Sequence, residues 1–446
     1  IGAQFSGLFV AREMRKDFNV TVVDAKEFME FTPGILRAFV KPAHLESLVF
    51  LLEPVLTKRF RVRFVLGEVK RLDAEGADVK LLAGGPGGGV QRLAFDYCVV
   101  CSGCNFGPFH KFGESVWSPT VLEDARLQSA WGGLDERYLE GRKQHILREH
   151  EEIRALNARQ GRVLCNGAGL IGVEWVTELK YFFRDLDITI IDFLPRCLAP
   201  LPESCSAYCS KYMQEQGIKE HYCVKYSPNN QMFWDQIAMP ERADREYTCT
   251  GVKACNYFMP AETLSDRGPG GGRWILINER LQVVLKPTSS QDLGDVWASG
   301  RIFAVGDCNY GCIGAPPWIM PPVPKVCYPA EEQAYHACKN VRLLDRQLHP
   351  VDGAPPVGDL KNTWWPWGAG ISAVTLGCKD GCFVIGADDS KGSGMTVCRG
   401  RFAHFQKRVI ERTKMSEMQD RCFGKMIWHF VHRMPVNLWG KGPWLP

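Results

Sequence analysis

The sequence predicts an α/β fold with two parallel-sheet units, followed by an α+β segment at the C-terminus. Three observations predict it. A strand, a glycine-rich turn, a helix and a second strand follow one another between residues 162 and 192, and a similar order opens the chain between residues 2 and 24. A further apolar strand ends in an acidic residue, Asp307. Strands that alternate with helices form parallel sheets, because a helical crossover is their usual connection.

Length and charge limit the class of protein. The chain has 446 residues, which suits two or three domains, and 45% of them are hydrophobic and 23% charged, as in folded globular proteins. A formal net charge of +4 is small for this length and gives no reason to expect a nucleic-acid partner. We find no uncharged apolar run of about 18 residues, so no membrane-spanning helix is expected.

The 18 cysteines are scattered through apolar runs, where small buried thiols fit well. A disulfide scaffold belongs to short secreted domains, so we expect reduced thiols and an intracellular protein. The expected location is cytoplasmic, peripheral on a membrane or mitochondrial, and not secreted. Cys101 and Cys104, and Cys378 and Cys382, form short-spaced pairs without histidine partners. This favours packing over metal binding, and no metal is expected.

The strongest motif is the turn at Gly167, Gly169 and Gly172, which lies between an apolar strand and an apolar-spaced helix. The first glycine permits the tight turn, the second lets a pyrophosphate approach the backbone, and the third lets helix and strand pack closely. The N–H groups at the helix start then bind the phosphates. The next strand ends at Asp192, whose carboxylate would bind ribose hydroxyls and favour NADH over NADPH, although nearby Arg196 weakens that preference.

A similar turn opens the chain at Gly2 and Gly7, and the following strand ends at Asp24. Gln4 replaces the middle glycine, and the strand that would precede the turn is missing, because the sequence begins at Ile1. A generic strand–helix–strand element is the alternative interpretation. The order and spacing favour a first dinucleotide site.

The strand from Ile302 ends at Gly306 and Asp307, at the edge where open α/β sheets bind ligands. Lys325 then precedes a predicted helix, whose N-terminus would offer positive potential to a reduced flavin.

Together these motifs resemble the pyridine-nucleotide-dependent flavoprotein oxidoreductases, which have two Rossmann-like domains of the glutathione-reductase type. Within that group the chain is most similar to the apoptosis-inducing-factor-like ferroptosis suppressor proteins, and next to type II NADH dehydrogenases. The resemblance covers nearly the whole chain and includes, besides the glycine motifs, the segments 24–38, 107–112, 304–308, 324–325 and 376–386.

The resemblance implies FAD and NADH as cofactors, with NADPH as the alternative to NADH, and it implies which residues bind them. The residues implied for FAD are Gly2, Gly7, Asp24, Arg37, the backbone at Val69, Lys111, Gly306 and Asp307. The residues implied for the nicotinamide nucleotide are Gly167, Gly169, Gly172 and Glu174, joined by Asp192. Lys325 and Glu174 are the expected catalytic residues.

The implied domain order is a first half of the FAD domain at 1–125, an NADH domain at 160–255, a second FAD half at 256–350 and a C-terminal domain at 360–446. The charged stretch 137–159 reads as a connecting helix with a solvated face. Near the C-terminus, apolar residues from Met415 to Met434 recur at three- and four-residue steps, which predicts one amphipathic helix. Basic residues and tryptophans accompany it. The helix is expected either to contact a membrane interface or to pack on the flavin domain or a second subunit.

The predicted function is an FAD-dependent NAD(P)H oxidoreductase that passes electrons to a quinone-like acceptor. One alternative is a reductase of disulfides or of electron-carrier proteins, but no cysteine lies between Asp24 and Cys98, where such enzymes commonly carry their redox pair. The other is a degenerate, non-catalytic flavoprotein or NADH-sensing binding protein, which the altered first turn supports. A second copy of the chain, in a homodimer, is the other partner considered.

Overall fold

The computed structural model describes residues 1–82, 89–106, 134–288, 294–312, 327–353, 355–362, 369–387 and 395–433. Two predicted site residues, Lys111 and Lys325, lie outside these ranges. The described part contains parallel, mixed and antiparallel sheets, and helices connect the strands of the parallel sheet, so the predicted α/β fold class is confirmed.

The first part of the chain builds a four-stranded sheet and an antiparallel ribbon. Its elements are α1 (Phe5–Met14), β1 (Thr21–Asp24), β2 (Phe28–Glu30), α2 (Leu36–Val40), α3 (Leu45–Leu48), β3 (Val49–Leu51), a π-helix (Pro54–Phe60), β4 (Arg63–Leu72), β5 (Gly76–Leu81), β6 (Val90–Ala94), β7 (Cys98–Val100) and β8 (Cys104–Phe106). Short 3-10 turns lie at Thr32–Gly34 and Pro42–His44. β1 and β4 pair in parallel, β4, β5 and β6 are antiparallel, and β2 pairs with β3.

The first two residues link β1 to β7. The Ile1 amino group donates to the Val99 carbonyl at 2.9 Å, and the Cys101 amide donates to the Ile1 carbonyl at 2.7 Å. On the other side, the Gly2 amide donates to the Val23 carbonyl at 2.8 Å. The residues Ile1 and Gly2 therefore lie between β7 and β1.

The second unit is a wholly parallel four-stranded sheet of order β11-β10-β9-β12. Its elements are α4 (Leu139–Ala158), β9 (Arg162–Asn166), α5 (Leu170–Phe182), β10 (Asp187–Ile191), α6 (Glu203–Glu215), β11 (Lys219–His221), α7 (Gln231–Gln236) and β12 (Arg245–Thr248). The sheet lies within residues 160–255, where the second nucleotide domain is predicted. The domain boundaries themselves stay a prediction.

The chain then returns to the first unit. The returning elements are β13 (Val252–Ala254), β14 (Ile275–Ile277), β15 (Ile302–Ala304), β16 (Asn309–Cys312) and α8 (Cys327–Leu348), with 3-10 turns at Ala261–Thr263, Pro269–Gly271, Trp297–Gly300 and Gly306–Cys308. β13 pairs antiparallel with β8, so the outgoing and returning segments lie side by side. β14 pairs in parallel with β16. β15 pairs in parallel with β7, and α8 packs against α1.

The charged stretch 137–159 does form a helix, α4, but the expectation of a solvated face is wrong for three of its residues. Arg142 is fully buried and donates to Glu30 and Glu136. His145 is buried beside Glu136 at 2.5 Å, and the Glu149 carboxylate accepts from Tyr247 at 2.6 Å. These charged side chains attach α4 to β2 of the first unit and to β12 of the second.

The C-terminal segment begins with an antiparallel sheet of β17 (Ala369–Leu376), β18 (Asp380–Ala387) and β19 (Met395–Arg399). Helix α9 (Arg401–Met418) packs across β17 and β18, and α10 (Cys422–Arg433) packs on α9. The α+β prediction for this segment agrees with these elements. The larger apolar core joins the second unit to α2 and to β17 and β18, and a second core lies among β4, β5, β7, β15 and α8.

The single amphipathic helix predicted from Met415 onward is wrong, because the chain turns at residues 419–421. Asp420 adopts a left-handed φ of 56°, which a continuous helix does not allow. α10 then lies close against α9: a Cβ on Gly424 would stand 2.5 Å from the Thr413 carbonyl oxygen. The two helices form a hairpin whose close crossing needs glycine.

None of the helices within the described ranges combines the length and the apolar character needed to cross a bilayer. The 17 cysteines whose side chains are described form no disulfide with one another.

Candidate active site

The first glycine-rich turn is held by the carboxylate at the end of β1. The Ala3 amide donates to Asp24 Oδ2 at 2.6 Å, and the Lys26 amide donates to Oδ1 of the same carboxylate at 2.8 Å. The Gly2 amide donates to the carbonyl of the preceding residue of β1, Val23. Asp24 is buried at the end of β1 and fixes the turn to that strand.

The second turn repeats this pattern in the other sheet. The Ala168 amide donates to Asp192 Oδ2 at 2.6 Å, the Leu194 amide donates to Oδ1 at 2.9 Å, and the Gly167 amide donates to the Ile191 carbonyl at 2.8 Å. The same three contacts, at the same places relative to the glycines, therefore occur in both units. The described residues thus contain two turn–helix–strand units with matching contacts.

The glycines themselves meet the same steric conditions in both turns. Gly2 and Gly167 have φ values of 94° and 111°, a region that side chains disfavour. A Cβ on Gly7 would lie 1.8 Å from the Gly2 carbonyl oxygen, and a Cβ on Gly172 would lie 1.8 Å from the Gly167 oxygen. Gly169 faces open space, since an added Cβ would meet nothing within 4 Å. The backbone is exposed there to a ligand.

Gln4 occupies the position that Gly169 occupies in the second turn. Its φ of −93° is one that any residue adopts, so the replacement causes no backbone strain. Its side-chain amide donates to the Phe28 carbonyl at 3.2 Å and accepts from the Glu30 amide at 3.2 Å. These bonds hold the side chain against β2.

The turn at Gly306 and Asp307 lies beside the first helix. Gly306 has a φ of 77°, and a Cβ there would stand 2.7 Å from Ser6 Oγ. The Gly306 amide donates to Gln333 Oε1 at 2.7 Å, and Ser6 Oγ donates to the Ala330 carbonyl at 3.1 Å. The strand end, the start of α1 and the start of α8 thus meet at one edge of the sheet, where the sequence predicts flavin binding.

Arg37 makes its strongest contacts with the second unit and the C-terminal sheet. Its Nη2 lies 2.5 Å from Glu178 Oε1 on α5 and donates to the Gly377 carbonyl at 3.1 Å. Burial raises the pKa of Glu178, against the effect of Arg37. Val69 is buried on β4 and pairs with Val79. FAD contacts by Arg37 and by the backbone at Val69 stay predictions.

Glu174 lies buried on α5, where it faces the C-terminal segment. Its Oε1 accepts from the Thr375 amide at 2.6 Å and from Thr375 Oγ1 at 3.0 Å, and it forms an ion pair with Lys407 of α9. No pattern in the sequence indicates either partner. Its predicted role toward the nicotinamide nucleotide stays a prediction.

A basic cleft of about 300 Å³ opens beside this cluster, between the 3-10 turn before α3 and helix α9. It is lined by Lys41, Ala43, His44, Ser47, Arg408, Glu411 and Arg412. Burial, together with Arg37 and Arg408, lowers the pKa of His44 to about 4. The imidazole is therefore neutral at pH 7, and the charge of the cleft comes from its lysine and arginines.

Arg196, which the sequence placed near the ribose site, is engaged by its own loop. Its guanidinium donates to the carbonyls of Leu198 at 3.3 Å, Ala199 at 2.7 Å and Leu201 at 2.8 Å. With three carbonyls bound, it is not directed toward a 2′-phosphate beside Asp192.

Comparisons with known proteins agree with this geometry. The family described as pyridine nucleotide-disulphide oxidoreductase matches residues 1–337. Apoptosis-inducing factor homolog B of Dictyostelium discoideum is 23% identical over 335 residues, covering 69% of this chain and 73% of the relative. Among solved structures, the sulfide:quinone oxidoreductase of Aquifex aeolicus has a TM-score of 0.65 at 15% identity and covers 97% of this chain and 95% of its own. The NDH2 of Plasmodium falciparum in complex with NADH has a TM-score of 0.59 at 11% identity, with 96% and 97% covered.

Proposed function

Because the chain belongs to the pyridine nucleotide-disulphide oxidoreductase family, we propose that it oxidises NADH with a bound FAD and passes the electrons to a quinone-like acceptor. One observation carries the proposal: two glycine-rich turns, in separate sheets, have the same contacts to an aspartate at the end of the neighbouring strand. Two dinucleotides that exchange a hydride are what such a pair of sites serves.

The residues of the first unit fit FAD. The turn from Gly2 to Gly7 presents the N-terminus of α1, where backbone amides and the helix dipole stabilise phosphate charge. Asp24 lies at the end of β1, and Asp307 lies at the strand end beside α1. FAD, when bound, supplies the capacity to accept a hydride and to release electrons one or two at a time. In this proposal Lys325 and the start of α8 add positive potential near the flavin ring.

The second unit fits NADH. Gly169 leaves room for a pyrophosphate, Gly172 holds α5 close to β9, and the Asp192 carboxylate disfavours a 2′-phosphate. The engagement of Arg196 with three carbonyls supports NADH over NADPH as the preferred donor. In this proposal Glu174, whose carboxylate accepts from Thr375 and pairs with Lys407, orders the nicotinamide end of the site.

The main experiment measures flavin content and acceptor use in the complete chain. We expect about one FAD per chain and NADH oxidation that is faster with ubiquinone- or menaquinone-like acceptors than with disulfides or electron-carrier proteins. A chain that binds NADH but acquires no flavin would support the non-catalytic alternative. Faster turnover with a disulfide or a carrier protein would support the reductase alternative and exclude quinone as the acceptor.

Quinones with long apolar chains dissolve in membranes, so an enzyme that reduces them needs a surface that contacts a membrane. The hairpin of α9 and α10 offers a surface suited to that contact. The outer face of α9 exposes Phe402, Phe405 and Val409 among basic residues, and α10 exposes Phe423, Met426 and Phe430 in the same spacing. Arg401, Arg408, Arg412, Arg421 and Lys425 are exposed on these faces. Exposed apolar side chains among cations are typical of helices that lie in an anionic membrane interface. We therefore include peripheral membrane contact in the proposal.

Vesicle co-sedimentation tests the membrane contact. Phe405→Glu with Phe430→Glu is expected to weaken binding to vesicles containing anionic lipid at least about tenfold, since burying one large apolar side chain contributes about 1.5–3 kcal/mol. Met232→Glu, at an exposed apolar position of α7, is the matched control and should bind as the parent does. Equal loss in both variants, or no binding by the parent, would reject the contact.

A further inference from the structure

Three cysteines from two distant parts of the chain meet in the interior. Cys205 and Cys209 lie one turn apart on α6, and Cys382 lies on β18, against which α6 packs. Their exposed fractions are 0%, 0% and 1%. The three sulfur atoms lie within 4.8 Å of one another, and those of Cys209 and Cys382 are 3.7 Å apart.

The spacing is that of three thiolates around one metal ion. Metal–thiolate bonds are about 2.3 Å long, so three sulfurs in a plane around one ion lie roughly 4 Å apart. The sequence spacing of Cys378 and Cys382 suggested a different pair. In the structure Cys378 lies beside Glu178, and Cys382 instead faces α6.

The surroundings place positive charge near Cys205. Cys205 lies in the first turn of α6, where the helix dipole stabilises a thiolate. The positive charges of Arg196 and Arg399 also act on Cys205. Arg399 belongs to β19 and stacks on the Tyr208 ring, with its guanidinium carbon 5.7 Å from the ring centre. Two cations therefore stand close to a group of three buried thiols.

The number of donors and their burial select the ion. Within the described residues, these three sulfurs are the only group of cysteine, histidine and acidic side chains that converges in this way. Structural zinc takes four ligands, and a catalytic zinc keeps an open position for water, which burial of 99% or more excludes here. Soft thiolates favour Cu(I), which does not require a fourth ligand.

We propose that Cys205, Cys209 and Cys382 bind one Cu(I) ion through three thiolate sulfurs and so join α6 to β18. Binding releases three protons, one from each thiol, and forms three sulfur–copper bonds without any change in oxidation state. The resulting charge of −2 is balanced by Arg196 and Arg399. This metal site is separate from the nucleotide sites and would connect the second unit to the C-terminal sheet. The hydrogen bond from Tyr208 Oη to Asp380 Oδ1, at 2.9 Å, joins the same two parts.

The test is an anaerobic titration of the complete, metal-free chain with Cu(I), supplied as a weak acetonitrile complex in competition with a chromophoric Cu(I) chelator. We expect one ion per chain, near-ultraviolet thiolate-to-copper absorption and a higher midpoint of thermal unfolding. Cys382→Ser and Cys209→Ser should each weaken the affinity at least about 100-fold, beyond the 10–100-fold effect of losing a residue that only orients a ligand. Cys338→Ser is the matched control, because its thiol is equally buried but lies on α8.

The outcomes separate the proposal from its rivals. Retention of the ion by Cys382→Ser, or equal loss in Cys338→Ser, would overturn it. Preference for Zn(II) over Cu(I) at this site, or a Cys209–Cys382 disulfide detected by mass in the purified protein, would overturn it as well. If a serine variant fails to fold, the stoichiometry and absorption of the parent chain still decide, since thiols that only pack would bind no ion.

Discussion

At the scale of single residues, Gly169 and Gly172 differ in what surrounds them. A Cβ at Gly169 meets open space, so Gly169→Ala is expected to keep the thermal stability and to weaken NADH binding about tenfold, or about 1.4 kcal/mol. A Cβ at Gly172 collides with the Gly167 carbonyl, so Gly172→Ala is expected to lower stability by about 1–3 kcal/mol. Thermal unfolding and an NADH titration measure both. Loss of stability in Gly169→Ala would contradict the assignment of that glycine to the ligand.

Asp192 is expected to set the preference between the two nicotinamide nucleotides. The parent enzyme should favour NADH over NADPH at least about tenfold in kcat/KM, because a carboxylate repels the 2′-phosphate. Asp192→Asn removes the charge and should reduce the preference to within about threefold, a change of about 0.7 kcal/mol or more. Asp187→Asn, at the exposed start of the same strand, is the control and should leave the ratio unchanged.

These residues could be predicted because their requirements are local. Each glycine is needed by atoms of its own turn, and Asp24 and Asp192 lie one strand further along the chain. The pair of Glu174 and Lys407 could not be predicted, since 233 positions separate them and neither lies in a pattern that indicates the other. The side-chain contacts of Gln4 were equally hidden, although they explain how the first turn tolerates it.

At the scale of elements, a buried ion cluster attaches α9 to the first unit. Lys414 Nζ lies 2.5 Å from Glu331 Oε1 of α8 and 2.6 Å from Glu417 Oε2, and Glu417 also pairs with Arg12 of α1. Glu417→Gln leaves two cations partly uncompensated and is expected to lower stability by about 3–5 kcal/mol. Glu13→Gln, whose carboxylate is partly exposed beside the same arginine, should cost less than about 1 kcal/mol. Urea unfolding compares the two.

The same glutamate gives a pH dependence. Burial disfavours its charge, but Lys414 and Arg12 hold the pKa of Glu417 below its ordinary value. Its stabilising contribution is therefore complete above the unfolded pKa of about 4.3 and is lost as the pH falls through the lower, folded pKa. The parent should lose stability over that acid range more steeply than Glu417→Gln. Parallel curves for the two proteins would show that the carboxylate stays neutral.

The C-terminal elements show where periodicity fails. Met418 and Cys422 keep a four-residue step across the turn at Asp420, so the apolar pattern continues while the helix does not. A pattern of hydrophobicity reports the spacing of apolar residues and is insensitive to a turn that preserves their phase. The burial of charged residues on α4 could not be predicted either, because the partners that compensate their charge lie on other elements.

At the scale of the whole molecule, the order of motifs was enough to predict the α/β class and two sheets. Each glycine-rich turn is followed directly in sequence by its helix and strand, and right-handed crossovers leave few ways to assemble such a unit. The arrangement of the C-terminal sheet against α5 and α2 could not be predicted, because it depends on the long-range contacts of Glu174, Glu178 and Arg37.

Strand pairing across long stretches of sequence predicts an order of folding. β9 and β10 pair Arg162 with Asp187, whereas β7 and β15 pair Cys98 with Ile302. Closing the longer loop costs more chain entropy, so β9 and β10 should gain amide protection first when the full chain refolds. Pulse-labelled hydrogen exchange measures the order. Simultaneous protection of both pairs would show that the two sheets form in one step.

The same pairing of β7 with β15 has a consequence on the ribosome. Val100 is made about 200 residues before Ala304, which at about 5–20 residues per second leaves roughly 10–40 s in which β7 has no neighbour on that side. Protease sensitivity of nascent chains stalled before and after residue 348 would measure this interval. Until then β7 presents an open strand edge on that side, and a chaperone that covers it would determine how much of the newly made protein matures.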